Sequence, residues 1–414
     1  MRNKFLTRIN INIDYIGIKK IFKNFFISKS CEVEFFEKFT NYINKKNIIL
    51  TGSGRAALYL ILCQIKKNTK KKKILISPYT LTEVINVIEH AGFEASFVDL
   101  NIESGIPNIN SQNLDEDICA ILITHLFTSG SDLKNFINQY KDKVFLIEDA
   151  ALNLGAKDEI GNYFGTLTDY GFFSFGAAKN LCLISGGAAY IKSNENFEIA
   201  KNIYKEYLKY PKINFIIQFV LVILVKIFSS KIILKTFSFR FIKSMYKNKN
   251  FLYNKLYPGL NPKFRKYIPD HYKYKISDYC YEAGIYQIER DKRNILIRKN
   301  KAEYYSNKLK TIKNENIKIF YLENFNENSF IEYPIYLKKN TVDEIHNEFL
   351  KHNVDLRVKW YMNNAKFKKF KSNPKMFKNS ELCEYKILCL PLHDLITFED
   401  IDFIVEKLKK LLEK

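Results

Sequence analysis

A chain of 414 residues with 47% hydrophobic content is long enough for two domains with substantial cores. Its 66 Lys and Arg outnumber 44 Asp and Glu, for a formal net charge of +22, but the lysines are spread along the chain with abundant Asn, Ile, Phe and Tyr. That is a compositional bias, so nucleic acid is not expected as a partner, whereas an anionic substrate or an acidic membrane surface suits the charge. The seven cysteines, at positions 31, 63, 119, 182, 280, 383 and 389, lack metal-ligand spacing and lie mostly in apolar runs. Reduced thiols and no metal are expected, and the first residues lack the apolar stretch of a signal peptide, which predicts a cytoplasmic protein.

The first informative stretch is Thr51-Gly52-Ser53-Gly54-Arg55-Ala56. Small residues let the backbone approach a ligand, and the helix predicted over 55–65 points its free N–H groups and positive dipole end at an anion. Alone, such a stretch is more often a turn and cap. Short apolar strands at 74–77, 95–98, 120–123 and 144–147 then alternate with helices at 80–90 and 132–140. This is the order of an α/β domain whose mostly parallel sheet is buried on both faces.

Ligands of such sheets gather at the C-terminal ends of the strands. His125 closes one central strand on the side where Asp149 emerges from another, so it either faces a ligand or is a satisfied structural histidine. Glu148 should point to the opposite side from Asp149, and the two do not form an acid pair. Thirty residues after Asp149 comes Phe173-Ser174-Phe175-Gly176-Ala177-Ala178-Lys179-Asn180. Pyridoxal phosphate (PLP) chemistry requires a lysine amine to hold the aldehyde as a Schiff base and a buried carboxylate to keep the pyridine nitrogen protonated. Lys179 and Asp149 supply that pair, and Ser174 can offer a hydroxyl to the cofactor phosphate.

Residues 211–246 contain an apolar run from Phe215 to Val225, followed by Lys226 and by a basic apolar segment from Lys231 to Lys243. The run is shorter than the roughly twenty apolar residues of a spanning helix, so an interfacial helix pair over 213–243 is expected, or else a surface packed within the protein or a dimer. Beyond it, the chain is helical by pattern from about 279 to 305. A strand from 330, a helix over 341–352, a strand at 387–390 and a helix over 397–412 follow. The predicted boundaries are a large PLP-binding α/β domain over 30–260, with the insert at 211–246, and a helical linker with a small C-terminal α+β domain over 261–414.

The ordered set 53–58, 92–99, 124–126, 148–151, 173–180, Gly186-Gly187, 272–278, 283–287 and 390–393 resembles the DegT/DnrJ/EryC1/StrS family of PLP-dependent sugar aminotransferases. The resemblance implies aminotransferase fold type I, with a mostly parallel seven-stranded type of sheet and a smaller C-terminal α+β domain. It further implies that Lys179 carries the cofactor, that Asp149 holds the pyridine nitrogen, and that Ser174 with Ser53, Gly54, Arg55 and Ala56 binds the phosphate. The family is dimeric with shared sites, and its members place an Asn on the neighbour's phosphate from a segment that here reads Tyr272-Lys273-Tyr274-Lys275-Ile276, which puts Lys273 in that role. Departures are Leu152 for a usual Gln, Leu81 for a stacking aromatic and Arg55 for a small Thr; Arg55 and Lys273 both add positive charge near the phosphate. The implied reaction moves an amino group, from glutamate, to a nucleotide-linked ketosugar for amino-sugar or polysaccharide biosynthesis. Dehydration of a deoxysugar on the same scaffold is an alternative, against which the retained lysine speaks. A degenerate PLP fold serving as a membrane or partner module is another. The segment from Arg357 through Trp360 to Tyr361 is expected to border the sugar.

Overall fold

The computed structural model describes residues 4–8, 10–26, 31–109, 114–248, 264–313, 315–321, 325–357, 361–370 and 372–413. A seven-stranded sheet holds the first two hundred residues together, in the order Ile48–Thr51, Gly187–Ile191, Tyr170–Ser174, Phe145–Asp149, Ile118–Thr124, Lys73–Ile76, Glu94–Phe97. The last five run parallel. Only Gly187–Ile191 is reversed, antiparallel to both of its neighbours. Ile118–Thr124 is buried along its whole length, which explains its unbroken apolar sequence: helices cover both faces, so neither face needs polar residues.

Helix starts follow the caps. Ser53 accepts a hydrogen bond from Ala56 N at the head of Gly54–Asn68, and Ser129 does the same from Asp132 N, so the expected helix at 132 begins at Gly130. In the C-terminal third, Tyr281–Leu309 leads to an antiparallel sheet ordered Ile387–Pro391, Glu332–Leu337, Ile317–Ile319, with the helices Val342–Lys351 and Phe398–Leu412. The N-terminal segment joins the two parts. Leu6 pairs with the backbone at Asn353 and Asp355, while Ile11 and Ile13 enter the core that contains Phe215 and Phe219.

The insert is helical. Lys212–Phe228 is followed by a short turn at Lys231–Ile233, a π-helical stretch at Leu234–Ser238 and Phe239–Asn248, with a 63° bend between the two arms. Phe215 and Phe219 pack against Phe25, at ring distances of 5.9 and 5.6 Å. No single helix among the described residues is long and apolar enough to cross a membrane.

Candidate active site

The strand Phe145–Asp149 ends on two carboxylates facing opposite ways. Glu148 is fully buried and accepts from Gly165 N, Leu167 N and Thr168 N at 2.7, 2.7 and 2.9 Å, and it also meets His125 Nε2 at 2.8 Å. Asp149 is buried too, yet among the described residues its side chain accepts a single hydrogen bond, from Ala151 N at 3.0 Å. Burial pushes its carboxyl above the usual range, opposed by the Ala151 N–H, the Lys179 ammonium and the nearby His125.

Lys179 lies on the loop after Tyr170–Ser174. Its amide donates to Gly176 O at 3.0 Å, and the loop is closed by Phe175 N to Gly186 O and Leu183 N to Phe175 O, both 2.8 Å. Gln287 of the long helix grips it through Cys182, accepting from its N–H at 3.0 Å and donating to its carbonyl at 2.6 Å. Burial lowers the Lys179 ammonium to about 8; Asp149 pulls it upward, with Arg357 lowering and Glu332 raising it by smaller amounts. A primary amine held near 8 has a far larger neutral fraction at physiological pH than one at 10.5, and the neutral amine is the state that attacks an aldehyde.

Ser53, Gly54, Ser174 and Gly187 form a cradle in which the backbones nearly touch. A Cβ on Gly187 would stand 2.5 Å from Gly54 N, and one on Gly54 would stand 3.0 Å from Ser174 Cβ. The Ala56 amide donates to the Ser53 hydroxyl at 3.1 Å, while those of Gly54 and Arg55 have no acceptor within the helix, so the head of this helix offers N–H groups where only small residues fit. A buried carboxylate, an amine of depressed pKa and an amide-lined cradle at adjacent strand ends fit PLP.

Other predicted residues are placed differently. Arg55 turns its guanidinium away to Glu83, at 3.3 Å, and shares that acid with Arg265 at 2.6 Å. The expected phosphate role is thus left to the backbone of Arg55, because an acid 28 residues away claims its side chain. His125 stacks on Phe164 at 4.8 Å and commits Nε2 to Glu148, leaving Nδ1 buried without a hydrogen bond among the described residues. Lys273 is exposed, 5.9 Å from the Tyr59 ring, in a recess separate from the one that Lys179 lines. Its segment crosses the cradle, since Gly52 N donates to Tyr274 O at 2.7 Å. Leu81 is exposed at the head of Thr82–His90, while Leu152 packs on the C-terminal core. Trp360 lies outside the described residues; Arg357 pairs with Glu332 at 2.8 Å, and burial and then the Asp149 carboxylate push the Tyr361 phenol upward.

Sequence reasoning missed the far wall of the recess at Lys179, which includes Asn10, Asn12, Arg298 and Asp394. Asn10 donates to Asp394 at 2.5 Å and Asn12 to the Asn180 carbonyl. These positions are separated from Lys179 by more than a hundred residues, and no local motif marks them.

Comparison with known proteins agrees with this geometry. Part of the chain is 34% identical to an uncharacterized protein of Methanocaldococcus jannaschii over 177 residues, 41% of this chain and 44% of that protein. Another match is the UDP-4-amino-4,6-dideoxy-N-acetyl-beta-L-altrosamine transaminase of Campylobacter jejuni, 27% identical over 170 residues, 39% of this chain and 44% of that enzyme. The matched stretches thus span less than half of these relatives. In fold, the chain superimposes on a Streptococcus pneumoniae protein described as a sugar aminotransferase, solved in its PLP form, with a TM-score of 0.73, 18% identity and 99% of both chains covered. The model of the DegT/DnrJ/EryC1/StrS aminotransferase family matches residues 18–211 and 252–409, so the chain belongs to that family.

Proposed function

We propose that this protein transfers an amino group from an amino acid, glutamate, to the carbonyl of a nucleotide-linked ketosugar that serves amino-sugar or polysaccharide biosynthesis. The observation that carries this reading is Lys179, its ammonium lowered to about 8 and facing buried Asp149 at the ends of adjacent strands. PLP held there would supply the electron sink that makes a proton on the donor carbon removable. Lys179 Nζ would take that proton and deliver it across the intervening nitrogen, and Asp149 would hold a positive charge opposite its carboxylate. Ser53, Gly54, Ala56 and the Arg55 backbone bind the phosphate with Ser174. His125 lends Nδ1 to the same side, oriented by Glu148. The retained lysine disfavours dehydration, and Leu81 and Leu152 change how the ring is held without removing a group the proton transfer needs.

The working unit in this proposal is a cytoplasmic homodimer. Lys273, exposed and outside its own chain's Lys179 recess, reaches the phosphate bound by the partner, and residues 213–243 touch a membrane peripherally. Purified protein given PLP, glutamate and a panel of nucleotide ketosugars should form 2-oxoglutarate and an aminated sugar. Borohydride should fix the cofactor on Lys179. Label on another lysine, or no product from any ketosugar, overturns the reading. Mixing Lys179→Ala with Lys273→Glu protein should regenerate activity through mixed dimers; confirmed subunit exchange without recovery removes Lys273 from the shared site.

A further inference from the structure

The helix Lys212–Phe228 has two apolar faces, and among the described residues only one is packed. Phe215, Phe219 and Val222, spaced i, i+4, i+7, are buried in the core below. Ile213, Ile217, Val220, Leu221 and Leu224 form a second stripe at the same kind of spacing and are 42–62% exposed. Phe237 and Phe241, stacked on each other, continue that surface beyond the bend. An apolar patch of this extent on a soluble surface marks an interaction site. The two stretches matched by the family end at 211 and resume at 252, so the hairpin lies between them, its inner face packed in the core that also holds Phe173 and Phe175.

Charge identifies what covers it. Between Glu206 and Asp270 the chain has no acidic residue, while eight lysines or arginines lie between Tyr207 and Asn248. Lys231, Lys235 and Arg240 are exposed on the arm that follows the bend. A second copy seated on this face would bring like charge against like charge, whereas a bilayer of anionic lipid offers acyl chains to the stripe and headgroups to the rim. Crossing the bilayer would require unpacking Phe215, Phe219 and Val222, and Lys226, which donates to Ile11 O at 3.2 Å beneath the helix.

Resting on the peripheral contact proposed for residues 213–243, we propose that the hairpin is an in-plane docking element for anionic bilayers. The outer stripe enters the headgroup boundary, and the inner stripe stays on the protein. The enzyme would thereby sit beside a membrane-bound reaction that consumes an aminated sugar.

Flotation of the full-length protein tests this directly. Vesicles of phosphatidylcholine with phosphatidylserine should carry it at least about tenfold more than phosphatidylcholine alone, with loss at high salt. Joint replacement Ile217→Glu, Leu221→Glu and Leu224→Glu should abolish flotation while far-UV circular dichroism, oligomer size and turnover stay unchanged. Reversal of the rim by Lys231→Glu, Lys235→Glu and Arg240→Glu, all three exposed, should reduce it about tenfold. Equal binding to neutral vesicles, retained binding in both variants, resistance to carbonate extraction, or a change of oligomer size in the apolar variant without loss of flotation overturns the inference. Turnover is read in the same sample without vesicles, so failed chemistry in protein that floats sinks the transfer reading alone.

Discussion

Glu148 and Asp149 are consecutive, both buried, and on opposite faces of the central sheet, and their surroundings differ in one respect. On the Glu148 face, three backbone amides, the Thr168 hydroxyl and an imidazole point at the carboxylate, whereas on the Asp149 face, among the described residues, a single amide does. A satisfied buried carboxylate is structure. The Asp149 carboxyl is raised by burial with few donors to offset it, which suits the cofactor-holding role proposed for it.

Exchanging each acid for its amide breaks the comparison most severely. Asp149→Asn removes a charge that burial already disfavours and preserves shape, so stability should shift by less than about 1 kcal/mol. Turnover should fall by roughly 10²–10³, the range for losing a group that stabilises the reacting charge. Glu148→Gln should do the reverse. Its NH2 would face donors instead of acceptors, leaving at least one buried amide unpaired at about 1–3 kcal/mol, with turnover changed much less. Thermal unfolding and single-turnover rates on both variants decide; equal effects on both readouts would mean that the two faces are not functionally distinct.

A smaller and graded effect comes from Lys179, which sits on the Asp149 side. Its ammonium is lowered from 10.5 to about 8 by burial, so the folded protein releases that proton before the unfolded chain does. Cofactor capture by the stripped protein needs the neutral amine, so its rate should rise about tenfold per pH unit below 8 and level off above. The sign for stability follows from the same displacement. Between about 8 and 10.5 the unfolded chain binds the extra proton at this lysine, so Lys179 contributes stability that rises with pH through that window, against the opposite contribution of buried thiols such as Cys119 and Cys182, which burial raises to about 12 and about 11. Lys179→Met should abolish capture, and the stability difference between stripped wild-type protein and this variant should carry the Lys179 slope; a capture rate that levels off only near 10.5 would show an unburied amine.

The parallel strands, Asp149, Lys179 and the Ser53 to Ala56 turn were readable in the sequence because each rests on local chemistry: an apolar run, a strand-end acid, small residues before a helix. Partners brought together by topology were not. Nothing near Arg55 announces that Glu83 will take its guanidinium, or that Arg265, 182 residues from that acid, will share it. The amides of Asn10 and Asn12 reach the Lys179 recess only because Leu6 is pinned to the backbone at Asn353 and Asp355 on one side and Ile11 is buried on the other. The reversed strand Gly187–Ile191 shows why the glycine pair reads as a motif: its first residue faces Ser53 and Gly54 at a distance no side chain could occupy.

The smallest effect belongs to Arg55. Its guanidinium is 44% exposed and reaches Glu83 at 3.3 Å, while Arg265 holds the same carboxylate through Nη2 at 2.6 Å and Nε at 2.8 Å. Burial raises the Glu83 carboxyl, but the Arg265 and Asn86 hydrogen bonds and the two guanidinium charges bring it below its ordinary range, and most of that survives without Arg55. Screened by solvent, such a pair contributes about 0–1 kcal/mol. Arg55→Ala should therefore leave thermal unfolding nearly unchanged, and PLP affinity should move by less than about threefold, because the backbone N–H at position 55 is retained. Reversal at the cradle itself, Gly54→Val, should abolish binding, since its Cβ would press on Ser174 at 3.0 Å. A loss of affinity in Arg55→Ala as large as in Gly54→Val would show that the side chain leaves Glu83 for the phosphate when the cofactor binds.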